Sequence, residues 1–134
     1  MKKGKLNCIM LIDNNADDNF YHKRVIKKND TTQEVLVMSS ALEALQYLET
    51  DHAQNIQPDL IFLDINMPGI NGWDFIERYQ LITNSFIQPL IIMLTTSENP
   101  DDRIKALQNP AIADLMTKPL TVFMLKSIKD RFFL

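Results

Sequence analysis

The chain has 134 residues, of which 46% are apolar and 23% charged, with a net charge of −3. That is one ordinary globular domain, able to bury a core without disulfide or metal staples. The acidic balance gives no electrostatic reason to expect nucleic acid or an anionic membrane as partner, and the single cysteine, Cys8, excludes an internal disulfide and cysteine-rich zinc sites.

Met1-Lys2-Lys3-Gly4-Lys5 and the apolar run after it loosely imitate a secretory leader. Asn7 interrupts the run and Asp13 ends it with no small-residue cleavage site, so Cys8–Ile12 is predicted as a strand and Cys8 as a buried, inert thiol. No stretch is long enough to span a bilayer, which makes the cytoplasm the expected location. Asp17 and Asp18 open a first helix and Lys27 and Lys28 close it, in the sense that complements the helix dipole. Glu34–Met38 is a strand whose charged start suits an edge. Ser40 and Glu43 form a capping box ahead of a helical stripe of Ala41, Leu42, Ala44, Leu45 and Leu48.

Leu60–Leu63 is a third strand, and Asn71 caps a helix through Trp73, Ile76 and Tyr79. Leu90–Leu94 is a fourth strand. Asn99, Pro100 and Asp102 start a short helix, about Asp101 to Leu107, which Asn109-Pro110 must stop. Asp114–Thr117 is a fifth strand, and Leu125, Ile128 and Phe132 face one way on a last helix. The first, third and fourth strand runs lack polar alternation, as expected of strands buried on both faces. Five βα units in series predict an α/β fold, a parallel sheet covered by helices on both sides. No repeat or linker interrupts them, so residues 1–134 are expected to form a single domain. His22, beside Lys23 and Arg24, and His52 are taken as ordinary surface residues.

Four strands end at a polar residue: Asp13, Asp64, Thr95 and Lys118. In an open α/β sheet, sites lie at the carboxyl ends of the strands, near the topological switch point. Two carboxylates, a hydroxyl and an ammonium would then converge in one shallow cleft. Close carboxylates repel unless a cation lies between them, and an oxygen donor set suits a hard divalent ion such as Mg2+ shared with a phosphate. Each residue has a plainer alternative. Taken alone, Asp13 reads equally well as a cap of the next helix, Thr95 as a turn residue, and Lys118 as a solvated surface lysine. Their common position at equivalent strand ends weighs against four separate coincidences.

Asp13-Asn14, Asp64 followed by Met67-Pro68-Gly69 and Gly72, Thr95-Thr96, and Lys118-Pro119 together resemble the receiver domain of two-component response regulators, over essentially the whole chain. The resemblance implies a flavodoxin-like (βα)5 fold with strand order 2-1-3-4-5. It implies Asp64 as the phosphoryl acceptor, and Asp13 with the position held by Asn14 as the acidic Mg2+ pocket. The backbone carbonyl of Asn66 would complete the ligands. Thr95 would bond the phosphoryl oxygens and Lys118 would pair with them; the Lys118–Pro119 bond is cis in that family. A stand-alone regulator with no effector domain is implied. Its phosphodonor would be a sensor histidine kinase or a histidine phosphotransfer protein, its output an unknown downstream protein, and its state a monomer or weak homodimer.

Two positions depart from the family pattern. Asn14 replaces the second acidic residue of the pocket, which points to weaker Mg2+ binding than in a receiver with the full acidic pair, unless Asp17 or Asp18 supplies the missing charge. Leu115 stands where an aromatic switch residue is frequent, which points to a smaller movement carried by Thr95, the following loop and the short helix. The nearest rival is a pseudo-receiver, an interaction module independent of phosphorylation. A haloacid-dehalogenase-type phosphatase would need a second Asp at the position of Asn66. A flavin mononucleotide binder would need a Ser/Thr/Gly-rich loop where Asp13-Asn14-Asn15-Ala16-Asp17-Asp18 stands. A histidine phosphotransfer protein would be all-helical.

Overall fold

The computed structural model describes residues 4–49, 55–82 and 88–134; His52 lies outside them. The elements run β1 (Cys8–Ile12), α1 (Ala16–Asn29), β2 (Glu34–Met38), α2 (Ala41–Glu49), β3 (Leu60–Leu63), α3 (Gly72–Ile82), β4 (Leu90–Thr95), α4 (Pro100–Gln108), β5 (Asp114–Thr117) and α5 (Val122–Phe132). The five strands form one parallel sheet in the order β2-β1-β3-β4-β5, which puts Glu34–Met38 at an edge as its sequence suggests.

Each central strand sends alternate side chains to opposite faces, as the twofold period of a strand requires. Met10, Ile12, Ile61, Leu63, Ile91 and Met93 pack under α2, α3 and α4, whereas Ile9, Leu11, Leu60, Phe62, Ile92 and Leu94 pack with Ile26 of α1 and Leu125 and Ile128 of α5. Two cores on two faces account for the unbroken apolar runs of β1, β3 and β4.

The helix starts follow local chemistry. Asn15 caps α1, its Oδ1 accepting the N–H groups of Asp17 and Asp18 at 3.0 and 3.1 Å. Asn99 caps α4 with Pro100 in the first turn, and Asn109 ends it. At α2 half of the expected capping box forms: Ser40 Oγ accepts from Glu43 N, while the Glu43 carboxylate accepts from the Ser39 hydroxyl. Asn71 and Asp74 cap α3 reciprocally. Among the described residues no helix is long and apolar enough to cross a membrane. Cys8 is buried, and desolvation, then the charges of Asp59 and Glu34, push its thiol up to about 12, consistent with an inert group.

One expectation fails in α1. His22 is not a surface residue: it is 3% exposed, and with Asn19 and Ile26 it forms the buried face of the helix. Phe20 and Tyr21 point outward, 66% and 51% exposed. With polar residues inside and aromatic ones outside, hydrophobic periodicity could not reveal which face is buried.

Candidate functional site at the strand ends

The sheet register assembles the site. Ile12 pairs with Leu63 and Leu63 with Met93, so Asp13 and Asp64 emerge side by side from β1 and β3. The ladder continues past the strands: Asp64 N–H donates to Ile12 O at 3.0 Å, and Asp13 N–H to Met38 O at 3.1 Å. Thr95 pairs with Thr117, and Lys118 N–H donates to Thr95 O at 2.9 Å, which sets Lys118 beside the end of β4. The Lys118–Pro119 peptide is cis.

Lys118 bridges the carboxylates. Its Nζ lies 2.6 Å from Asp13 Oδ2, 2.9 Å from Asp18 Oδ2 and 3.7 Å from Asp64 Oδ2. The plainer alternatives for three residues now separate. Lys118 is not a solvated lysine, because its side chain is only 9% exposed. Asp13 is not the cap of α1; that is Asn15, whose N–H donates to Asp13 Oδ1 at 2.9 Å. Thr95 does make a turn, its Oγ1 accepting from Ser97 N–H at 3.1 Å, but it is also fully buried at the site's edge.

The electrostatics follow from this crowding. Desolvation, then the Asp13 charge, pushes the Asp64 carboxyl up to about 6, although Lys118 and the N–H groups of Asn66 and Ile65 pull it down. Burial pulls the Lys118 ammonium down, but hydrogen bonds to Asp13 and Asp18 and the charge of Asp64 outweigh it, and the net shift is upward. Lys118 therefore stays charged and Asp64 is held near the neutral range.

Behind the carboxylates lies a cavity of about 10 Å3 bordered by Asp13, Asn19, His22 and Asp64. It has room for about one water molecule. Asn19 Nδ2 donates to Asp13 O at 2.8 Å, which steadies the β1–α1 turn, while Asn19 Oδ1 is buried without a partner. Desolvation, then the Lys118 charge, lowers the His22 pKa and favours a neutral imidazole. Asn19 and His22 carry no sequence signal of their own, because an isolated Asn and His on a charged helix look like surface residues.

Turn residues shape the other wall. Gly69 has φ 75°, a left-handed conformation that favours glycine. Gly72 opens α3 against the strand end, where an added Cβ would meet the Asp64 carbonyl oxygen at 2.6 Å. Asn14 and Asn66 are exposed at the mouth.

The donor set fits a hard divalent cation. Asp13 and Asp64 supply anionic oxygens, and the unsatisfied Asn19 Oδ1 adds a further polar oxygen to the small recess behind them, whose remaining walls include Leu11, Phe62 and Leu94. Among the described residues no three Asp, Glu, His or Cys side chains form a cage for a metal. Mg2+ usually keeps several waters and takes one or two carboxylates, the number that Asp13 and Asp64 would supply.

Comparison with known proteins agrees with this geometry. Residues 9–128 match the family model for the response regulator receiver domain. The two-component response regulator ARR5 of Arabidopsis thaliana is 26% identical over 133 residues, covering 94% of this chain and 70% of the relative. A protein-glutamate methylesterase/protein-glutamine glutaminase of Pyrococcus horikoshii is 31% identical over 119 residues, 86% of this chain, but this chain spans only 31% of that enzyme. The chain spans 59% of a second Arabidopsis regulator, ARR15. The crystal structure of a two-component response regulator from Cytophaga hutchinsonii superposes with a TM-score of 0.83 at 28% identity, covering 95% of this chain and 96% of that one.

Proposed function

Because the chain belongs to the response regulator receiver domain family of two-component signalling, we propose that it accepts a phosphoryl group on Asp64 from a sensor histidine kinase or a histidine phosphotransfer protein. It then signals in the cytoplasm, as a monomer or weak homodimer, by presenting a changed surface to a downstream protein. The observation that carries this reading is the bridge from Lys118 Nζ to Asp13 at 2.6 Å and to Asp64 at 3.7 Å, at adjacent ends of β1 and β3.

In the transfer step a carboxylate oxygen of Asp64 forms a new P–O bond while the P–N bond of the donor phosphohistidine breaks. The leaving imidazole keeps the bonding pair and takes up a proton. An ionised carboxylate is already the nucleophile, so no general base is needed. The work left to the protein is positioning and charge neutralisation. Lys118 faces the phosphoryl oxygens with a fixed charge, and the Thr95 hydroxyl turns from Ser97 to bond one of them. Asp13, Asp64 and the Asn66 carbonyl would hold Mg2+, with Asn14 at the remaining position of the pocket. When bound, the ion supplies charge neutralisation between carboxylates and phosphoryl oxygens.

The test is incubation with acetyl phosphate and Mg2+, followed by intact-mass measurement. We expect one added phosphoryl group, absent in Asp64→Asn and slowed at least tenfold in Lys118→Ala, the scale on which one electrostatic contact to a transferring group acts. Labelling that survives Asp64→Asn would overturn the site; no labelling of the native protein would favour an interaction module independent of phosphorylation.

A further inference from the structure

We propose that Asp18, in the first turn of α1, supplies the counter-charge that Asn14 lacks, holding the Lys118 ammonium against Asp13 and so keeping Asp64 available to a divalent cation. The inference rests on the function proposed above and concerns one residue that the family pattern does not assign.

The placement follows from the start of α1. Asn15 Oδ1 accepts the N–H groups of both Asp17 and Asp18, which fixes the two residues in the first turn. Successive helical residues diverge by about 100°, so only one of them faces the strand ends. It is Asp18, whose Oδ2 accepts from Lys118 Nζ at 2.9 Å across 100 residues of sequence. Asp17 is exposed.

This contact does not serve stability first. Asp18 is 37% exposed, and ion pairs with a solvated partner contribute little to folding. Its effect falls on Lys118, which is only 9% exposed and has few other places to go. An ammonium has three protons to donate. Asp13 and Asp18 accept two at hydrogen-bonding distance, while Asp64 at 3.7 Å is left outside that range. Without the Asp18 carboxylate, Lys118 would settle against Asp64 and cancel the charge that a cation needs.

Charge counting leads the same way. Asp13, Asp18 and Asp64 against Lys118 leave a net −2 around the ammonium when all are ionised. That equals the charge of a pocket with an acidic residue at position 14 and none at 18. Removing Asp18 would leave −1. Asp18 thus acts through Lys118 and through the local field, as a positioning residue and not as a metal ligand.

The test is calorimetric titration of the full chain with MgCl2, with urea unfolding alongside. Asp18→Asn should weaken Mg2+ roughly three- to tenfold, the scale of one partly screened charge near the site. Asp17→Asn removes the same formal charge from the same turn and should change the affinity less than twofold. Adding Asn14→Asp to Asp18→Asn should restore it, an outcome that a merely structural role for Asp18 would not produce. Equal affinities of Asp18→Asn and Asp17→Asn would overturn the inference. So would a loss in Asp18→Asn that the double variant, with a native urea midpoint, fails to recover. Failure of the native protein to bind Mg2+ at all would instead strike the proposed function.

Discussion

At Asp64, the proposed phosphoryl acceptor, burial works against the fold. The ordinary carboxyl value of 3.8 rises to about 6 in the native state. The folded protein therefore holds this proton more tightly than the unfolded chain. Below about pH 4 both states are protonated and the group is neutral in the balance; as pH rises towards 6 the unfolded chain ionises first and stability falls; above 6 the loss is complete. Asp64→Asn removes the charge that causes it. In metal-free protein at pH 7 we expect the variant to be more stable by about 1–3 kcal/mol. The gain should fade as pH drops from 6 to 4. Urea midpoints across that range would check this, and a gain independent of pH would contradict it.

At the scale of the element, α4 stands out for how little holds it. Ala106 is its one buried residue, while Ile104 and Leu107 are 52% and 75% exposed. Its N-terminus is instead tied to the site by polar groups. Thr95 Oγ1 accepts from Ser97 N–H, and Ser97 Oγ donates to Asp102 Oδ2 at 2.6 Å and accepts from Asn99 N–H at 3.2 Å. A Thr95 hydroxyl drawn towards a phosphoryl group releases the first link of this chain. Ser97→Ala should mimic that release, since it deletes the bond to Asp102, about 1.5–3 kcal/mol for a hydrogen bond to a charged group. Amides in the first turn of α4 should then exchange roughly tenfold faster, with those of β1 and β3 unchanged. Unchanged protection in α4 would mean that the hydroxyl chain does not hold the helix.

Across the molecule, the sheet separates two cores, and only one of them lies under α4. Leu115 is buried in that core with Ala106 and Ile112, so a shift of α4 must be accommodated there. Trp73 of α3 belongs to the same side, with Lys105 of α4 stacked 4.6 Å from its ring centroid. Beryllofluoride with Mg2+ should therefore perturb backbone resonances of residues 96–107, Leu115 and Trp73, and leave the far side at Ile26 and Ile128 nearly unmoved. Phosphorylation can only favour a state already accessible, to the extent of its differential affinity. Perturbations confined to the surroundings of Asp13 and Asp64 would remove the basis for output through this face.

The sequence by itself determined the elements and which polar residues stand at the strand ends. Apolar runs that stop at Asp13, Asp64, Thr95 and Lys118 mark both the strands and the site, because parallel strands in register bring equivalent ends together. Asn99-Pro100 and Asn109-Pro110 likewise mark the bounds of α4, because caps are local chemistry. The tertiary structure alone decided which polar residues turn inward. His22 and Asn19 are buried against the site although their helix presents Phe20 and Tyr21 to solvent, an arrangement that periodicity reads backwards. It also decided between Asp17 and Asp18. The rotation of α1 against the sheet selects the one that meets Lys118, and that rotation is set by packing between residues 100 positions apart, where no local pattern can carry it.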